Sequence, residues 1–231
     1  MQHATMRICT IMGGIAGTLL FIGIWPVAGL FPPFAPDTPT AEIAAYFAEN
    51  ATGVFIGSIL LQLASALFFL FGAAIAVLLK KIEGPSSPWT YAFMMILAYG
   101  FVTLYFAGLF FMAASFRPNY SAEITNLLTD LGFFLFVGAA IPAFVQNIIT
   151  GAAILSDKRA DPVMPRWVGY MNIWTGVLLL PGCVICLFKV GPFAWNGLLA
   201  FWMPAVVFGI WFNIMIWAMM RAIKRDALGQ A

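Results

Sequence analysis

The sequence predicts an all-α, polytopic membrane bundle of six transmembrane helices, and three observations carry that prediction. Hydrophobic residues make up 63% of the 231-residue chain and charged residues 9%, where a soluble domain carries about 25% charged residues. Mean hydropathy is +0.97. Six stretches are each long enough to cross a ~30 Å hydrocarbon core as a helix rising about 1.5 Å per residue.

Taken in order, the stretches are 8–30, 53–79, 89–116, 131–155, 167–188 and 197–220, each bounded by charges or by Pro and Gly. Backbone groups find no water in lipid, so each stretch is read as a helix. The short alternating strands of a barrel are absent. The first stretch exceeds the ~7–15 apolar residues of a cleavable leader and no A-x-A site follows it, so it is read as a helix that stays. The connections are short, and 1–231 is read as one integral membrane domain of three hairpins, 8–80, 89–158 and 167–221.

Basic residues orient the bundle. Arg7, Lys80, Lys81, Lys158, Arg159, Arg166, Arg221, Lys224 and Arg225 fall at one end of the predicted spans, leaving Arg117 and Lys189 at the other. An excess of Lys and Arg marks the cytoplasmic face, so both termini are expected in the cytoplasm and the protein in the plasma (inner) membrane. Aromatics at 16%, with 23 Phe and 8 Trp, suit lipid-facing helices and interfacial belts. With a net charge of +2 and no basic run, no nucleic-acid partner is expected.

The longest connection, 31–52, begins stiffly with Pro32, Pro33, Pro36 and Pro39. Thr40 then reads as an N-cap with Glu42 in the first turn, and Ile43, Tyr46 and Phe47 share one face of a short interfacial helix.

Three short matches recur in the same order one hairpin later. Ala28-Gly29-Leu30-Phe31 returns as Ala107-Gly108-Leu109-Phe110. Ala41-Glu42-Ile43 returns as Ala122-Glu123-Ile124. Gly72-Ala73-Ala74-Ile75 returns as Gly151-Ala152-Ala153-Ile154. This order predicts an internal duplication of the first two hairpins.

Candidate chemistry is sparse. Glu42/Glu49 and Glu123/Asp130 are two pairs of acids, each two helical turns apart on one stripe. Asp130 is the deepest, Arg117 and Lys189 are its available cations, and Trp195 and Asn196 are placed to close over such a pair. The tentative ligand site is therefore Asp130, Arg117, Lys189, Trp195, Asn196, Glu42 and Glu49. Structural readings stand beside it: helix-dipole neutralisation and solvated loop charges.

The intramembrane amides Gln146, Asn147 and Asn213 join the tentative site, with hydrogen bonding between helices as their plainer role, as for Gln62 and Asn172. Pro26, Pro142, Pro181 and Pro204 interrupt spans one, four, five and six. Gly13-x-x-x-Gly17 and Gly53-x-x-x-Gly57 permit close helix approach.

One histidine (His3) and three cysteines (Cys9, Cys183 and Cys186) supply no haem or metal set, so no cofactor or metal is expected. Cys183 and Cys186 read as small apolar packing residues.

The basic loop followed by Pro165-Arg166-Trp167-Val168-Gly169-Tyr170, with the Pro-rich loop and Thr40-Ala41-Glu42-Ile43, resembles uncharacterised bacterial six-helix inner-membrane proteins. The resemblance implies topology and carries no catalytic residue.

The leading functional expectation is a non-enzymatic membrane protein binding a hydrophobic ligand, a lipid, or a membrane partner subunit, which includes a second copy of itself. The alternative is a small-molecule carrier built from hairpin repeats. Enzymatic activity ranks last, because no nucleophile–base pair or metal set assembles from these residues.

Overall fold

The computed structural model describes residues 2–228. Among them, six helices are long and apolar enough to cross a bilayer: His3–Val27, Ala51–Glu83, Pro88–Phe116, Ala122–Leu155, Arg166–Leu187 and Leu198–Ala227, here spans one to six. No strand occurs among the described residues.

Four spans are interrupted. Span one is α1 (Gln2–Ile22) continued by a π-turn, Gly23–Val27. After the short helix α2 (Thr40–Glu49), α3 (Ala51–Glu83) and α4 (Pro88–Phe116) run unbroken. Span four divides into α5 (Ala122–Gly138) and α6 (Ala140–Leu155). Span five is α7 (Arg166–Leu179) with a 3-10 stretch, Leu180–Leu187. Span six opens with a π-turn, Leu198–Trp202, and continues as α8 (Met203–Ala227).

The four intramembrane prolines explain these breaks. Proline lacks the N–H that would reach the carbonyl one turn back, and its ring crowds that carbonyl. In spans one and six a wider π-turn relieves both problems, whereas span five tightens to 3-10 at Pro181 and span four divides before Pro142. Beside Pro26, the Ala28 N–H reaches past one residue to the Gly23 carbonyl at 2.9 Å. Before Pro204, Trp202 does the same to Gly197 at 3.3 Å.

Burial of apolar surface gives helices no advantage over lipid tails, so close packing must hold the bundle. A methyl at Gly53 would lie 2.5 Å from the Val27 carbonyl oxygen, and one at Gly57 would collide with that of Gly23. These two glycines let span two lie against the π-turn of span one. Gly151 and Gly169 likewise bring spans four and five together. Phe68 stacks between Phe101 and Phe212, with ring centroids at 4.5 and 5.0 Å, and joins spans two, three and six.

One end of the bundle carries the basic residues and is stapled by charge. His3 lies 3.9 Å from Asp226, which also pairs with Lys81. Arg225 pairs with Asp161, and Arg159 donates to the Lys81 carbonyl. Buried Asp157 accepts from the Val163 and Arg159 backbone N–H groups and folds the loop before α7. Glu83 caps α4, accepting from the N–H groups of Trp89 and Thr90 at 2.9 and 2.7 Å.

At the opposite end, the Pro-rich loop and α2 form a cover. Tyr46 donates to the Ala28 carbonyl at 2.8 Å, Ser115 donates to that of Phe47 at 3.0 Å, and Ile43 and Phe47 are buried where α2 packs on α5. Burial raises the Tyr46 phenol above its ordinary range.

Three expectations change in detail. The first helix begins at Gln2 rather than residue 8, because no Gly or Pro interrupts residues 2–7, so His3 and Arg7 are helical. Thr40 is the first helical residue and Pro39 holds the cap position without a side-chain bond. The two acidic segments also differ. Thr40–Glu49 is a separate helix that breaks at Asn50, whereas Glu123 and Asp130 lie on α5, continuous with span four.

Candidate functional site

Where the broken helices face one another, they enclose a cavity of about 600 Å³ lined from all six spans. Helix interruption at membrane depth is tolerated where the backbone lines a cavity, and each broken span contributes to this one. Ile24 comes from the π-turn of span one, Ala139 and Ala140 from the break in span four, Leu179 from the end of α7, and Ala200 and Pro204 from the start of span six.

The wall is mostly apolar, with no Asp, Glu, Lys, Arg or His among the lining residues. Its intramembrane amides are Gln146 and Asn213. Gln146 is 6% exposed, and no hydrogen-bond partner for its side-chain amide occurs among the described residues. Asn213 lies at the rim, exposed, and donates to the Gly209 carbonyl at 2.9 Å.

Toward the cover, the cavity ends in aromatic rings. Phe31 packs against Phe21, Trp25, Phe201 and Trp202, with centroid distances of 5.2–5.6 Å. Where α1 and α8 flank the cavity, the lining residues Thr18, Phe21, Ile22, Gly209 and Asn213 are exposed rather than sealed between helices. Gly17 and Gly209 border this seam, and no atom lies within 4 Å of where a methyl on either would sit. The cavity is therefore open between α1 and α8 rather than sealed.

The residues singled out from the sequence separate into two places. Gln146 and Asn213 meet at the cavity. Asn147 does not: it is buried, donates to the Ala143 carbonyl at 2.9 Å, and leaves its own carbonyl oxygen without a partner among the described residues. Asn172 is spent on packing, bonded to Trp211 on span six.

The acidic and aromatic candidates lie at the covered end. Asp130 is half-buried and accepts from Asn126, one turn away, at 3.3 Å. No salt bridge joins it to Arg117 or Lys189 among the described residues, although the charge of Lys189 reaches it. Arg117 is exposed, 5.6 Å from the centre of the Phe116 ring. Glu42 and Glu49 are exposed and Asn196 is half-buried.

Trp195 closes over Phe133 and Phe134 rather than over an ion pair, and donates to the Phe34 carbonyl at 2.7 Å. That bond ties the last connection to the Pro-rich loop. Cys9, Cys183 and Cys186 are free thiols.

Sequence reasoning missed Gly17, Gly209 and Phe31 as site residues. The available signal was the presence of a proline break in four of the six spans, which predicts irregular backbone within the bundle.

Compared with family models, curated proteins and solved structures, the chain matches none.

Proposed function

We propose that this is a non-enzymatic integral protein of the plasma (inner) membrane that holds a membrane lipid or similar hydrophobic ligand between its spans. The basic end faces the cytoplasm in this reading, with both termini there. The observation that carries it is the apolar cavity of about 600 Å³, which is open where its α1 and α8 lining residues Thr18, Phe21, Ile22, Gly209 and Asn213 are exposed. Its volume falls in the usual ~300–1,000 Å³ range of small-molecule sites. The cover of α2 and the Pro-rich loop favours entry from the bilayer over entry from water.

The reading is tested by native mass spectrometry of protein extracted with its surrounding lipid. A retained lipid adduct on the wild-type chain is expected, and a bare chain under mild extraction overturns the reading.

A second reading, a small-molecule carrier, is favoured by the placement of Gln146 and Asn213 on a central cavity. It predicts saturable uptake of a water-soluble solute into proteoliposomes.

A further inference from the structure

Resting on the lipid-binding reading, we infer that the ligand is an uncharged amphiphile whose hydrogen-bonding end group is received by Gln146 and which enters between α1 and α8 past Gly17 and Gly209. The chemical class follows from the wall. Gln146 is buried, lines the cavity and has no side-chain partner among the described residues. Its amide is open to the cavity rather than sealed in the packing, and it offers one acceptor and two donors to whatever lies against it.

An ionised end group does not fit. No Asp, Glu, Lys, Arg or His lines the cavity, and an unpaired charge at membrane depth is strongly disfavoured. Gln146 lies nine residues before Leu155, the end of span four, which is roughly 13 Å of helix and well inside a ~30 Å core. A headgroup resting at the interface does not reach that depth. The end group is therefore a hydroxyl, carbonyl or ester on an apolar chain. The chain lies along the wall between Gly13 and Ile24, roughly 16 Å of helix.

The route follows from the two glycines. At other close contacts a methyl would strike protein: at Gly13 it meets the Phe71 ring, and at Gly57 the Gly23 backbone. At Gly17 and Gly209 it meets nothing within 4 Å. A larger side chain at either position extends into the seam without displacing a neighbour.

Two sources share this chemistry, a quinone with an apolar tail and a neutral monoacylglycerol. The experiment is a native mass spectrometry titration of detergent-purified protein with decyl-benzoquinone, monopalmitoylglycerol, ionised palmitate and hexadecane. The wild type is expected to bind at least one neutral polar probe about tenfold or more tightly than palmitate. Whichever of the two binds more tightly identifies the source.

Gln146→Leu is expected to weaken that probe about tenfold while leaving hexadecane unchanged, a selectivity that a merely structural role would not move. Gly17→Leu and Gly209→Leu are expected to slow or abolish binding of every probe at unchanged thermal stability. Equal binding of palmitate and the neutral probes overturns the inference. So does an equal loss of hexadecane and polar probes in Gln146→Leu, or unaltered binding in both glycine variants. If Gln146→Leu does not fold, the palmitate comparison in the wild type decides. If the wild type binds none of the four, the lipid-binding reading fails with it, whereas charge-blind binding sinks the inference alone.

Discussion

The indole N–H of Trp211 on span six donates a 2.8 Å hydrogen bond to the side-chain carbonyl of Asn172 on span five, where Trp211 is 1% and Asn172 0% exposed. Both ends of the Asn172 amide are engaged, since its nitrogen also donates to the Val168 carbonyl at 2.8 Å and contacts the Met215 sulfur at 3.5 Å. Trp211→Phe is expected to lower stability by about 1–3 kcal/mol, because it leaves the Asn172 carbonyl buried and unpaired. Adding Asn172→Leu to it is expected to cost less than the sum of the two single changes. Thermal melts in detergent measure all three variants, and strictly additive losses would show that the bond contributes nothing.

Among the described residues Asp130 accepts a hydrogen bond from Asn126 and feels the charge of Lys189, and it does not line the cavity. Asp130→Asn is therefore expected to leave lipid retention unchanged and to shift stability by less than about 1 kcal/mol, as for a surface-type substitution. Loss of the retained lipid in this variant would move the ligand site to the covered end.

Trp195 ties two connections through the Phe34 carbonyl. Trp195→Phe keeps ring packing on Phe133 and Phe134 but loses the donor, and is expected to cost about 1 kcal/mol. Limited proteolysis of the Pro-rich loop around Asp37 should speed up. An unchanged cleavage rate would mean that the cover is held by α2 alone.

The Tyr46 phenol is raised by burial, so its neutral form is favoured in the folded chain. Below the ordinary tyrosine value of about 10 the phenol is neutral whether folded or not, and the stabilisation is complete. As pH rises above that value the unfolded chain ionises first and stability falls. Tyr46→Phe is expected to remove part of this alkaline loss in melts taken across that range. An identical alkaline profile would assign the loss to other groups.

Orientation rests on the clustering of basic residues at one end. A reporter fused to the C-terminus should report cytoplasm, and one inserted beside Asp37 the opposite side. Both reporters on one side would refute the arrangement.

The six spans and their four interruptions were legible in the linear sequence, because hydropathy and proline chemistry are properties of short stretches of chain. Pro26, Pro142, Pro181 and Pro204 each mark a break, since a missing N–H acts within one turn. Tertiary structure alone decided the site. Gly13 and Gly17 belong to one close-packing pattern, yet Gly13 meets the Phe71 ring and Gly17 meets no neighbour within 4 Å. Gln146 and Asn147 are adjacent in sequence, but a helix of 3.6 residues per turn separates them by about 100°. One faces the cavity and the other is buried away from it. Which residue faced inward depended on the rotation of span four, and that was set by its neighbours: Gly176 of α7 closing on Phe144 and Asn147, and Gly169 on Gly151.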